Sequence, residues 1–432
     1  MQALLSFEKA PPFAAPLRFF LTGPLFAALA GLILLLTGEA AFASRWTPEA
    51  LALTHLITLG FMLQIMLGAL IQILPVVAGA NLAQPLQIAR LVHFGLSLGV
   101  LGLASGFLFG TPWLLRSAAA LLGASVLVFL VAAGMSLHGV PTTSPTIRGV
   151  KLALVGLSGV VVLGVLLALA LANGWAWPLM VLADLHAGWG LGAWAGTLLA
   201  AVSYVVVPMF QLTPGYPARP SWWFPVAVLV GLFGWSLGVL FDQSWLVRVC
   251  QMLVGAAGIA FAILTLRLQL KRRRARADAT YRYWQLGLGA SIFALFMLCT
   301  AAMWPAGPEC RWWTPLFGVL LLAGGFVPFI IGMLYKIVPF LAWMHLQSLG
   351  QGKVAAPAMN KLLPDTATQR QLWAYAAAVA LLVLGVFWPE WLARPAGLLF
   401  AVACGWLGFN LLSAYRRYRA HLRVIEEKTA AA

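Results

Sequence analysis

Thr54-His55-Leu56-Ile57-Thr58-Leu59-Gly60-Phe61-Met62-Leu63-Gln64-Ile65-Met66-Leu67-Gly68-Ala69-Leu70-Ile71-Gln72-Ile73-Leu74-Pro75 contains one histidine and no Asp, Glu, Lys or Arg. At a rise of about 1.5 Å per residue, this stretch crosses a hydrocarbon layer of about 30 Å as a helix. Lipid offers the backbone no hydrogen-bond partner, so the helix must satisfy its own amides. Similar runs lie on both sides. They predict spans near 17–37, 50–76, 88–109, 113–135, 149–173, 178–208, 222–241, 246–269, 282–304, 314–345, 370–388 and 391–413. The 432-residue chain is 62% hydrophobic and 9% charged, too little polar material to cover a soluble protein of this length. Period-two alternation is absent and the segments are too long for barrel strands. The expected fold class is all-α and integral to the membrane, a single polytopic domain over residues 1–432.

The net charge of +16 has a topological reading. With twelve spans and both termini on one side, Arg45, Arg116, Arg248, Arg311 and Arg394 fall in loops of the other side, and Lys336 alone falls inside a span. The rest of the 27 Lys and Arg residues, Lys9, Lys353 and Lys428 among them, share the side of the termini. This is the positive-inside bias of a multi-pass protein with cytoplasmic ends in a bacterial inner membrane. Lys271-Arg272-Arg273-Arg274-Ala275-Arg276 is then an anchor on anionic lipid, and no nucleic-acid partner is expected. Ala41-Phe42-Ala43 resembles a signal cleavage site, but the preceding run is long for a signal and is kept as span 1. Of four cysteines, Cys250 and Cys310 fall near the same surface and allow a disulfide. Cys299 and Cys404 lie in apolar helix as packing residues.

Three spans carry an aliphatic–Pro step near the inner end: Leu74-Pro75, Val207-Pro208 and Val338-Pro339. The prolines are 133 residues apart (75 to 208) and 131 apart (208 to 339). A near-constant period of four helices predicts three four-helix units in pseudo-threefold arrangement, the first drawing on the last two spans.

Ionisable groups within a membrane are costly and are functional candidates. His55 and His186 lie 20 and 22 residues before their prolines, at one depth on equivalent helices. Two imidazoles so placed suit a haem or metal centre. The glycines that follow (Gly60 and Gly68; Gly188, Gly190, Gly192 and Gly196) suit a flat macrocycle or close helix packing. His93 and His345 lie near the inner face and would form a second centre or sit among headgroups. His138 and His421 fall in polar segments as surface residues. Lys336 would either reach the inner surface or join Tyr335, Tyr204, Ser203, Gln72 and Gln64 in a proton or ion pathway. Asp184 is a candidate relay or support for an imidazole. It is two residues from His186 on the helix and does not face it.

These features resemble the haem–copper oxidase subunit I superfamily: twelve spans, both ends inside, units of four helices, and histidines in the outer thirds of spans 2 and 6. The resemblance covers the whole chain in topology. It implies that His55 takes the place of a low-spin haem ligand and His186 that of a copper ligand, with b-type haem and copper as cofactors. The chain departs from the pattern at His186-Ala-Gly-Trp-Gly190, in a span 7 without histidine, and at Pro315 to Val319, where the family carries His-x-His. Oxygen reduction is therefore not expected. The chain more closely resembles diverged NnrS-like proteins tied to nitric-oxide stress and denitrification. That likeness implies respiratory electron transfer or nitric-oxide handling, with electrons from a respiratory or denitrification partner subunit or from quinol. Two other readings stand beside it: a cofactor-free transporter or channel using Lys336 and Asp184, and a non-catalytic assembly subunit.

Overall fold

The computed structural model describes residues 10–274, 276–304, 307–350 and 354–430. Lys9, Lys353 and Ala275 of the basic run lie outside the described residues, as does the side chain of Lys428. Every regular element among the described residues is helical. Twelve helices are long and apolar enough to cross a membrane: α1 (Ala14–Thr37), α2 (Pro48–Ala78), α3 (Pro85–Leu108), α4 (Pro112–Leu137), α5 (Pro145–Asn173), α6 (Leu179–Gln211), α7 (Ala218–Leu240), α8 (Ser244–Leu270), α9 (Ala279–Met303), α10 (Trp313–Leu349), α11 (Asp365–Phe387) and α12 (Pro389–Glu427). The chain is a multi-pass membrane protein. With twelve crossings both ends share one face, here the basic face. The other is the far face.

Helix starts follow local chemistry. Thr47 and Ser144 accept from Ala50 N and Ile147 N at 3.2 Å, each just ahead of a proline at the first helical position. Asp278 caps α9 by accepting from Tyr281 N at 2.9 Å. The α5 helix ends at Gly174, whose φ of 65° is a left-handed conformation that favours glycine.

Contacts order the helices simply. Among the described residues, nine form a closed outer ring in the sequence α1, α3, α4, α5, α7, α8, α9, α11, α12 and back to α1. The helices α2, α6 and α10 lie inside it: α2 against α1 and α3, α6 against α5 and α7, and α10 against α9, α11 and α12. These three are also the most buried. They line a cavity of 70 Å³ toward the basic face, with Gln72 on its wall.

Each inner helix widens into an eight-residue π segment: Leu56–Leu63, Trp189–Gly196 and Val319–Phe326. The segments begin 19, 19 and 20 residues before Pro75, Pro208 and Pro339. Glycine is favoured there for a local reason. A Cβ on Gly196 would lie 2.9 Å from Leu191 O, and one on Gly325 would lie 3.2 Å from Leu320 O. Both carbonyls are five residues back, the spacing that π turns bring close.

The suggested disulfide is not formed. Cys250 and Cys310 are both free. Cys250 lies inside α8 with its sulfur 2.6 Å from where a Cβ on Gly234 of α7 would be, whereas Cys310 lies in the α9–α10 connection. Cys299 packs on Gly255, and Cys404 is fully buried.

Candidate metal-binding site

His55 and His186 each lie seven residues into their helices, about 10 Å along the axis, one and three residues ahead of the π segments. The structure brings them together. Their ring centres are 6.4 Å apart, with planes 20° from parallel. Both residues are half-buried.

The proton positions follow from the partners. His55 Nδ1 is 2.7 Å from Leu51 O, one turn back on its own helix. His186 Nδ1 is 3.1 Å from Val160 O on α5. A carbonyl oxygen only accepts, so in each ring Nδ1–H donates and the neutral imidazole keeps its lone pair on Nε2. A carbonyl on the second nitrogen is how ligating histidines are commonly oriented. Two imidazoles bound through Nε2 to one metal at about 2.0–2.1 Å have ring centres roughly 6 Å apart. The observed 6.4 Å is close to that value.

The surroundings hold the rings in place. Gly164 of α5 makes room for His186, since a Cβ there would lie 2.8 Å from His186 Cε1. Phe107 of α3 lies 5.2 Å from His55, ring centre to ring centre. Asp184 is turned away from both imidazoles and pairs with Arg45. That contact ties the segment before α2 to α6, just above the pair. Among the described residues no three His, Cys, Asp or Glu side chains converge to hold a metal, so His55 and His186 have no third side chain of these types beside them.

The glycines after each histidine serve helix packing. Gly60 and Gly68 lie against Phe26 and Phe19 of α1, and Gly188 and Gly192 lie against Leu232 of α7. A macrocycle would have to displace those side chains, so of the two uses foreseen for the glycines the structure shows packing.

The other candidates are dispersed. His93 Nε2 is 2.8 Å from Thr22 Oγ1 of α1, and its ring meets Phe19 edge-on. His345 Nδ1 is 2.9 Å from the Tyr418 hydroxyl of α12. Each has its own partner, and their rings make no contact with each other among the described residues. Lys336 is ion-paired. Its Nζ is 2.8 Å from Asp278 Oδ2, which Arg274 also approaches at 2.9 Å. Burial opposes ionisation of Asp278, yet Lys336, the Tyr281 amide and Arg274 together hold its carboxyl below the ordinary range.

The remaining polar residues of the supposed pathway point to different places. Gln64 donates to Ser97 Oγ at 3.0 Å. Tyr204 packs on Tyr216 with ring centres 5.2 Å apart. Tyr335 donates to Gln371 Oε1 at 3.0 Å and accepts from Asn410 Nδ2 at 2.9 Å. Gln371 also accepts from Tyr283 and donates to Ala403 O at 2.9 Å. Ser203 donates to Leu199 O of its own helix at 2.5 Å.

Sequence reasoning missed several of these groups. Asp278 carried a helix N-cap signal, which gives its place at the start of α9 but not its partner Lys336. Gly164, Val160 and Gln371 carried none. No family profile and no curated protein matches the chain.

Proposed function

We propose that this chain is a metal-binding protein of the bacterial inner membrane, with one redox-active centre held between His55 and His186. The observation that carries the proposal is the paired geometry: two near-parallel imidazoles, 6.4 Å apart, each with Nδ1 committed to a backbone carbonyl. Polar groups held within a bilayer are costly, and a shared cation between two half-buried imidazoles at this spacing offsets that cost. The centre is a bare copper ion or a haem iron. Filling of the glycine faces by Phe26, Phe19 and Leu232 favours the bare ion, because a macrocycle requires these to move. When bound, either group supplies one-electron chemistry and a site for a small ligand such as nitric oxide.

The protein's own part is positional. Leu51 O and Val160 O fix both tautomers, Gly164 seats His186, and the Arg45–Asp184 pair links the two segments at the far face. We place the architecture beside haem–copper oxidase subunit I. Nine outer and three inner helices group as α11, α12, α1 with α2, as α3, α4, α5 with α6, and as α7, α8, α9 with α10. The matched π segments and prolines support this threefold reading. The role in respiratory electron transfer or nitric-oxide handling rests on that likeness.

Metal analysis, a pyridine haemochrome assay and a reduced-minus-oxidised visible spectrum of the purified protein test the reading. One equivalent of copper or haem is expected in wild type, and loss of it in both His55→Ala and His186→Ala. A centre retained in both variants would overturn the assignment.

A further inference from the structure

His186 turns toward α5. The opposite side of α6 faces a separate cavity of 580 Å³ enclosed with α7, α8, α9 and α10. Its wall on α9 runs from Ala301 to Leu288, so the shaft is about 20 Å deep. Phe261 and Phe329 line it toward the basic face, and Phe329 packs there with Val206, Val207 and Trp284.

The lining defines the occupant. The charged residues are Arg45, Asp184, Glu309 and Arg311, all at the far-face rim, two of each sign. An occupant with a net charge gains nothing from such a rim. Cys310 joins the charged residues at the rim, and below the rim no His, Cys, Met, Lys or Tyr is among the described lining residues, so the deep wall offers neither a strong metal ligand nor a buried cation. Below the rim the wall is aliphatic and aromatic, with Gln251 and Ser291 as its polar side chains. The volume spread over that depth gives a cross-section of about 30 Å², broad enough for a flat ring. Pockets of this size and character are typical of small-molecule sites.

We propose that the shaft binds a lipophilic quinone. The flat ring packs against Trp235, near the level of Gln251 and above the Phe224–Phe261 pair. The Gln251 amide and the Ser291 hydroxyl donate to its carbonyl oxygens, and its tail follows the apolar wall. Binding is proposed without a redox step and does not depend on the histidine pair holding metal.

The test is binding of decylubiquinone to the detergent-purified full-length protein by equilibrium dialysis. Ala187 is an exposed wall residue, so Ala187→Trp obstructs the shaft without entering the packed core. Gln251→Leu removes a donor at similar size. Leu36→Trp, on the exposed surface of α1, is the control. We expect saturable binding of one equivalent in wild type and in Leu36→Trp, and at least tenfold weaker binding in Ala187→Trp and Gln251→Leu. Wild-type binding in both shaft variants would overturn the proposal, as would no saturable binding in wild type. Decanoate displacing the quinone at equal affinity would overturn it too, by making the occupant an acyl chain.

Discussion

The far-face half of α2 and α6 and the α9–α12 quarter of the molecule both bury polar side chains within the bilayer, and they treat them in opposite ways. In the second region Tyr283, Tyr335, Gln371 and Asn410 join in one network, and Tyr375 donates to Ala323 O at 2.6 Å. Protein answers protein, and the result fixes four helices against one another. In the first region, each imidazole spends Nδ1 on a carbonyl, and the two rings lie 6.4 Å apart, centre to centre. The inner helix α10 sharpens the contrast. At the two offsets from the π segment that hold His55 and His186, it carries Gly318 and Leu316. The same scaffold thus supports a closed polar network in one place and a pair of open lone pairs in another. The proposed metal belongs to the second arrangement alone.

This contrast is open to test, and the largest expected effect is at Gly164. Gly164→Val pushes the His186 ring from its seat and should weaken metal binding by about tenfold or more, as loss of orienting contacts around metal ligands does. A competition titration with a chelator reads this, and unchanged affinity would show that His186 is not held by α5. Next is Gln371→Leu, which strands the Tyr283, Tyr335 and Asn410 polar groups. We expect a loss of about 2–3 kcal/mol in stability, followed by thermal unfolding in detergent, with metal content unchanged. Metal lost along with stability would mean that the two regions are not separate.

A smaller effect concerns pH. The Asp278 carboxyl is held below its ordinary value in the folded state, so its contribution is present above the unfolded value of about 4 and is lost as pH falls through the folded one. Lys336→Ala removes a main source of that depression. Acid unfolding should then begin at higher pH than in wild type, by an effect of about 1 kcal/mol, with metal content unaffected. Coincident acid unfolding curves would show that the pair contributes nothing. The smallest effect is expected of Asp184→Asn. Both partners of the Arg45–Asp184 pair are about 40% exposed, and such pairs contribute less than about 1 kcal/mol. A clear drop in metal affinity would instead give this contact a positioning role.

Much of this was legible in the sequence because the bilayer imposes a strong code. Uninterrupted apolar runs marked the twelve helices, and the proline spacing marked α2, α6 and α10 as a set. Register against those prolines singled out His55 and His186. The π segments were not legible, since a shift from i+4 to i+5 bonding leaves little trace in composition, although glycines such as Gly196 and Gly325 serve it. The partners were hidden for another reason. Val160 and Gly164 meet His186 only because α5 packs on α6, and Lys336 meets Asp278 only because α9 packs on α10. The sequence marked Lys336 as costly in lipid but did not show that the cost is offset by a helix-capping aspartate. Likewise, nearness to one membrane surface grouped Cys250 with Cys310, while the direction in which α8 turns Cys250 separates them.

The central claim is that both imidazoles bind one metal. X-ray absorption at the metal edge of the purified wild-type protein tests it most directly. The account requires two imidazole nitrogens at about 2.0–2.1 Å, with the outer-shell scattering of both rings, and the loss of that signature in His186→Ala. A metal coordinated without imidazole, or a signature unchanged in the variant, would contradict it.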